Sequence, residues 1–418
     1  MSAHAPHAPR LLVVTTDVPL PADSGGRVDV WRRLQALHQA GWALGLLCWR
    51  DADRTGPGDA AADATLREVC ETVAIRTISH RPGEVLHRLS HLARLPSHAA
   101  SRWITLEHAA SLAMARAFAP DAVLADGLYA GACARWLAQQ LGVPLLYRAH
   151  NIEHLYMQRQ WHLARRLRPR IGIALNRLGL ARFERGLWRD AQAVLDISLD
   201  DLAQWRAQGF SRGHWLPTLV DESQAAALAA EAPARWDVAY FGNLHTPNNV
   251  DAVRWLVEAV WPTLAAQGLR LLVAGSRPSP EVRRLLTPLA SATLVEDPPS
   301  MPEVVRQARV LVNPVQAGSG VNLKSVEMLF SRAGLVSTPV GVQGLPAAAR
   351  DCFRVADSAP AFAQAVLDEL HQPQATTTAR ETARADFTAA GAVRRLQAVW
   401  QAVMENRTAA SSAFPPPA

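Results

Sequence analysis

No stretch of this 418-residue sequence offers the roughly 20 consecutive apolar residues that a membrane-spanning helix needs. The opening MSAHAPHAPR lacks the apolar core of a secretory signal, so a soluble protein of the cytoplasm is expected. Cysteine is scarce. The 4 present (Cys48, Cys70, Cys133 and Cys352) stand singly, with no second cysteine or histidine at a spacing that closes a metal site or a disulfide framework. That excludes a zinc ribbon or a disulfide-stapled domain and predicts separate, buried thiols. No internal repeat of solenoid length is present either.

Acidic residues are the minority charge. Lysine and arginine total 43 against 37 acids, a formal net charge of +6 that comes mostly from arginine. Such a balance suits phosphates, nucleic acids or acidic membrane surfaces without choosing among them. The densest run is Arg165, Arg166, Arg168, Arg170, Arg177, Arg182, Arg185 and Arg189, interleaved at helical spacing with Leu163, Leu167, Ile171, Leu175, Leu178 and Leu187. One amphipathic helix with solvated arginines is the first reading, and peripheral contact with an anionic membrane stays open. Nucleic acid is not an expected partner, because no recognition module or aromatic stacking motif accompanies the arginines.

Hydrophobic residues make up 49% of the chain. A single core stops growing at about 250–300 residues, so two domains are expected. Short apolar runs alternate with helix-period segments, the pattern of parallel sheets covered by helices in an α/β protein. In the first half, strands are expected at 10–15, 44–48, 122–125, 145–148 and 193–196. In the second half they are expected at 238–241, 270–274, 293–295, 310–313 and 335–338. The first domain spans 1–213 and the second 214–375; a helix over 376–408 follows, and 409–418 is too poor in core-forming residues to order.

In open parallel sheets ligands sit outside the carboxyl ends of strands, so the loops there are read most closely. After the first strand, Gly25 and Gly26 open a helix whose positive end an anion could approach; a tight strand-to-helix turn reads equally well. After 145–148 come His150, Asn151 and Glu153, either a polar cluster for a sugar or a helix start with Asn151 as its cap. Gly242 and Asn243 follow 238–241, where a glycine admits close approach of the backbone to a ligand. The most specific loop runs Asn313 to Glu327. Gly318, Ser319, Gly320 and Asn322 lead into a helix carrying Lys324, a point charge for a phosphate, and Glu327, an acceptor for ribose hydroxyls.

The order of these motifs resembles the retaining glycosyltransferases of family 4 over most of the chain, from Leu11 to about Trp400. Gly25-Gly26 resembles the family's N-terminal glycine loop, His150 its histidine after a strand, and Ser198 its serine segment between domains. Phe241-Gly242 resembles the first strand-loop of its donor domain, and Gly318…Lys324…Glu327 with Gly341 and Gly344 its donor-site motif. The resemblance implies a GT-B fold: two facing Rossmann-like domains with parallel sheets and a crossing C-terminal helix. It implies transfer of a sugar, with retention of configuration, from a nucleotide-diphosphate sugar held by the second domain to an acceptor held by the first. His150 would contact the transferred sugar, Gly25 and Gly26 the diphosphate, and Glu327 the ribose. Neither a metal nor a cofactor is implied, and no paired carboxylates are needed or found in the sequence.

Two departures stand out. Asn243, His245, Asn248 and Asn249 occupy the stretch where the family carries an Arg and a Lys for the diphosphate, and Ser319 takes the place of the first glutamate of its Glu pair. Lys324, with Arg277 in the loop after Gly275, is the expected replacement. A non-catalytic nucleotide-sugar binder and a nucleotide-sugar epimerase remain the alternatives, and the acceptor stays unidentified.

Overall fold

The computed structural model describes residues 8–54, 56, 58–79, 81–103, 107–163 and 167–413. Arg165 and Arg166 of the basic run, and 414–418 of the tail, lie outside them. The chain divides into two compact units. One gathers the chain up to Ile197, then Asp201–Leu216 and the chain from Ala392; the other gathers Ser198–Asp200 and Pro217–Gly391.

The first unit is built on β1 (Arg10–Thr15), β2 (Ala43–Asp51), β3 (Thr72–Ile78), β4 (Ala122–Asp126), β5 (Leu145–Ala149), β6 (Ala193–Asp196) and β7 (Gly213–Trp215). They form one parallel sheet in the order β3-β2-β1-β4-β5-β6-β7. Leu11, Leu12, Val13 and Val14 are all buried, so β1 is covered on both faces, as the strands of a parallel sheet flanked by helices must be. Val13 pairs with Leu46 of β2 on one side and Leu124 of β4 on the other. The strand order reverses at that point, so the connections leaving β1 and β4 diverge and open a crevice at their carboxyl ends.

The second unit repeats the plan with β8 (Trp236–Asn243), β9 (Leu271–Ser276), β10 (Ala292–Glu296), β11 (Ala308–Asn313), β12 (Gly334–Ser337) and β13 (Arg354–Val355). Its order is β10-β9-β8-β11-β12-β13, reversing between β8 and β11. Tyr240, Trp261, Val312 and Phe362 meet in its core. The expected fold, α/β with parallel sheets in two Rossmann-like units, is the one observed.

Several elements differ from the sequence reading. The basic segment is not one helix: Leu167–Arg177 and Leu180–Asp190 are separate, broken at Gly179, whose φ of 68° no helix interior holds. The helix from Pro247 takes a wide π turn at Leu256–Val260, just before Pro262, whose nitrogen has no hydrogen to close an ordinary helical bond. Among the described residues after 376 there are two α-helices, Thr377–Arg384 and Ala389–Ala413, with a short 3-10 helix at Ala385–Phe387 between them; the second helix runs beyond Thr408, so 409–413 of the tail expected to be disordered are helical. Within the first unit its Trp400 meets Trp42 edge to face at 4.9 Å. Among the described residues no helix is long and apolar enough to cross a membrane.

Candidate active site

In the first unit the crevice above β1, β4 and β5 is a pocket lined by Thr16, Gly26, Asp126, Tyr129, His150 and Glu153, among others. Gly25 and Gly26 begin the helix Gly25–Gln39. Its N-cap, Ser24, makes no side-chain cap, and the first helical amide to find a backbone acceptor is that of Val28. The first turn holds no acid, and Asp23, just before the cap, pairs with Arg27 at 3.2 Å. A Cβ on Gly26 would meet nothing within 4 Å.

His150 sits at the end of β5, its Nε2 2.8 Å from Asp126 Oδ1 at the end of β4. Asp126 is almost wholly buried and is also paired with Arg33. Arg33 bonds Asp29 at 2.6 Å, and Asp29 in turn meets Arg148 at 3.2 Å. Arg148, fully buried, donates to the carbonyl of Leu216. His150 is thus the pocket end of a buried ladder of alternating charge, two carboxylates against two guanidiniums. Burial alone would push the Asp29 carboxyl up, but Arg33 and Arg148 overcome it and hold the group far below the carboxylate range. Asp126 is likewise lowered by Arg33 and His150 against its burial. Arg33 is raised by its two carboxylates despite desolvation, while at Arg148 burial wins and lowers the pKa.

Glu153 occupies the same pocket. It accepts from Tyr129 Oη at 2.9 Å and from Asn151 Nδ2 at 3.3 Å, and burial raises its pKa. Asn151 is therefore not the cap expected from the sequence. The helix Glu153–Leu163 starts after Ile152, and Glu184 from another helix accepts the amides of Glu153 at 2.7 Å and His154 at 3.1 Å. Asp126 and Glu153 also bring two carboxyls into one pocket that the linear sequence did not pair.

In the second unit the loops after β8 and β11 converge where that sheet reverses. Gly242, with φ of 152°, faces Lys324: a Cβ there would stand 3.3 Å from Lys324 Cε and 3.4 Å from Nζ. Lys324 Nζ is buried, has no hydrogen-bond partner among the described residues, and lies 3.8 Å from the centroid of the Tyr240 ring. Burial pushes its pKa down to about 7 against the pull of Glu327. Asn322 caps the short helix Leu323–Met328 by accepting from the Lys324 amide at 3.2 Å, and Gly320 turns the loop with φ of 64°. Gly318 and Ser319, on the approach to that turn, are half-buried. Glu327 accepts from Gln224 Nε2 at 3.0 Å.

The asparagines that replace expected cations have structural partners. Asn249 donates to the Asn243 carbonyl at 2.9 Å and accepts from Tyr240 Oη at 3.0 Å, while Asn243 Oδ1 takes the His245 amide at 3.1 Å. Arg277 is exposed one strand away, after β9, with φ of 52° and its amide bonded to Asp297 at 2.8 Å. The Ser198 segment belongs to the second unit, where the Gly344 amide donates to Asp200 at 2.8 Å and the Leu199 amide to the Gly344 carbonyl at 3.0 Å. A Cβ on Gly344 would stand 2.5 Å from Ser198 Oγ.

Asp29, Arg33, Asp126 and Arg148 escaped the sequence reading, though a signal existed. Asp29 and Arg33 are four apart on the first helix, within the apolar stripe of Val30, Leu34 and Leu37, and Arg148 and Asp126 end apolar strands. Among the described residues no group of three or more His, Cys, Asp or Glu could hold a metal ion.

Residues 235–372, which carry the Gly242, Lys324 and Glu327 cluster, match the family described as Glycosyl transferases group 1. An uncharacterized 44.6 kDa protein in the cps region of Klebsiella pneumoniae is 23% identical over 345 residues, 80% of this chain and 84% of that one. Sucrose-phosphate synthase from Thermosynechococcus elongatus superposes with a TM-score of 0.66 at 16% identity, covering 96% of this chain and 100% of its own. HepE from Anabaena, in complex with UDP, superposes with a TM-score of 0.61 at 14% identity over 94% of this chain and 100% of its own. The chain is a glycosyltransferase of the GT-B fold, with a glycosyl transferases group 1 domain at residues 235–372.

Proposed function

We propose that the protein moves a sugar from a nucleotide-diphosphate sugar to an acceptor hydroxyl with retention of anomeric configuration, acting in the cytoplasm. The second unit binds the donor. Lys324 supplies the phosphate cation, the Gly242 and Gly318–Gly320 backbone lets the diphosphate approach, and Glu327 takes the ribose hydroxyls. In the first unit His150 contacts the transferred sugar, with Gly25 and Gly26 toward the diphosphate. The bond from the anomeric carbon to the diphosphate oxygen breaks, a bond to the acceptor oxygen forms on the same face, and the acceptor's proton passes to the departing phosphate.

The observation that carries this reading is Lys324. A buried ammonium without a hydrogen-bond partner among the described residues, set beside a glycine at the switch point of the sheet, is a charge waiting for an anion. Asn243 and Asn249, bound into the loop where cations were expected, favour a second reading in which the donor is bound but not used. A thermal-shift screen of uridine, guanosine and adenosine diphosphates and their sugars tests the donor site. The uridine series comes first, since HepE is described with UDP. A ligand at about 100 times its dissociation constant should stabilise the native state by about 2.7 kcal/mol. Stabilisation by one series, lost in Glu327→Ala, supports the assignment; no response from any series removes it. Binding without turnover across many acceptors would favour the second reading.

A further inference from the structure

Among the described residues seven large hydrophobic side chains are exposed, and six of them fall on two stretches of the first unit: Val85, Leu86 and Leu89, and Ile171, Leu175 and Leu178. Their spacings bring each set onto one side of a helix. Val85 and Leu89 are one turn apart on Pro82–His91, and Ile171 and Leu175 one turn apart on Leu167–Arg177, with Leu178 directly after it. Pro82–His91 buries none of its residues fully, so its apolar side is not held by the core of the unit. The short helix Ser97–Ala100 touches both helices.

The charge on the two segments themselves is mostly basic. Arg81, Arg88 and Arg94 accompany the first with one acid, Glu84, and Arg170 and Arg177 share the helix of the second, Leu167–Arg177, which carries no acid. Arg170 and Arg177 lie over the half-buried ring of Trp161, at 4.7 and 5.4 Å from its centroid. Exposed leucines, an indole and arginines together match the boundary of a bilayer, where apolar side chains enter the acyl layer and cations meet anionic headgroups.

We infer that these two helices form a surface that seats the protein on an anionic membrane. The surface is tied to the pocket. Asn176, buried on Leu167–Arg177, accepts the His98 amide at 3.1 Å and donates to Tyr129 Oη at 2.6 Å, and Tyr129 lines the pocket that holds His150. Membrane seating is independent of the donor chemistry proposed for the second unit.

Flotation of the full chain with vesicles tests it. The protein should float with phosphatidylcholine vesicles containing phosphatidylglycerol, remain behind with phosphatidylcholine alone, and be weakened at about 1 M salt, where the Debye length is ~3 Å. Leu86→Ser with Leu89→Ser, and Ile171→Ser with Leu178→Ser, should each lower the bound fraction about fivefold or more, since buried apolar area sets interfacial affinity. These side chains are exposed, so the variants should melt as the wild type does. A wild-type chain that stays off anionic vesicles overturns the inference, as does a bound fraction that both variants leave unchanged. A dimer in sedimentation velocity that the same variants abolish would assign the stripes to a second copy instead.

Discussion

His150 Nε2 stands 2.8 Å from Asp126 Oδ1, and Arg33 grips the other oxygen of that carboxylate from the buried side. The pocket histidine is therefore oriented by a group that solvent does not reach. Asp126→Asn keeps the shape but leaves Arg33 with one carboxylate instead of two. Breaking a buried pair of this kind costs about 3–5 kcal/mol. Urea denaturation of the variant should show a loss of that order, and a loss below about 1 kcal/mol would mean that Arg33 finds another acceptor.

Asp29 links Arg33 to Arg148, and its folded pKa lies far below the unfolded value. An acid with a depressed folded pKa contributes stability that is present above its unfolded pKa and disappears as pH falls toward the folded one. The wild type should lose this contribution progressively below about pH 5. Asp29→Asn should therefore be much less stable than the wild type at pH 7, with the gap narrowing toward pH 3. A gap that is constant across that range would contradict a charged Asp29.

Lys324 has the opposite sign. Its folded pKa of about 7 lies below the unfolded value of about 10.4, so between those limits the unfolded chain binds the extra proton. Wild-type stability should rise as pH goes from about 7 to about 10, and the penalty for the buried charge should be complete below about 7. Lys324→Met removes that slope and should be the more stable protein at pH 6 without ligand. Guanidine titrations of both proteins at pH 6 and pH 9 measure the difference.

Gly242 and Gly26 separate space from function. Gly242→Ala forces a Cβ to 3.3 Å from Lys324 Cε at a φ of 152° and should cost about 1–3 kcal/mol. It should also weaken binding of the nucleoside diphosphate by about tenfold or more, since a shifted Lys324 loses its charge-assisted contact. Gly26→Ala meets nothing within 4 Å and should change stability by no more than about 0.5 kcal/mol. Differential scanning calorimetry on the two variants decides.

The central strands were legible because their burial on both faces leaves unbroken apolar runs such as Leu11 to Val14. β3 was not, because at the sheet edge Thr72–Ile78 is only partly buried and mixes Arg76 and Thr77 among its apolar residues. Lys324 and Glu327 stand out in the sequence from their place after a glycine loop, and Arg277 from the loop after Gly275; in the structure Arg277 is exposed one strand away, after β9. The ladder behind His150 left only a partial signal in the sequence. The i,i+4 spacing of Asp29 and Arg33 does not tell a buried pair from a solvated one, and only the fold shows that Asp126 and Arg148 arrive from neighbouring strands to bury them.

Isothermal titration of the nucleoside diphosphate that stabilises the protein, against wild type and Lys324→Met, tests the donor site most directly. The wild type should bind the diphosphate well above the bare nucleoside and take up a proton at pH 8, as the amine beside Tyr240 is recharged by the phosphate. The variant should lose at least about tenfold in affinity. Equal affinity for nucleoside and diphosphate, with no change in Lys324→Met, would contradict the assignment.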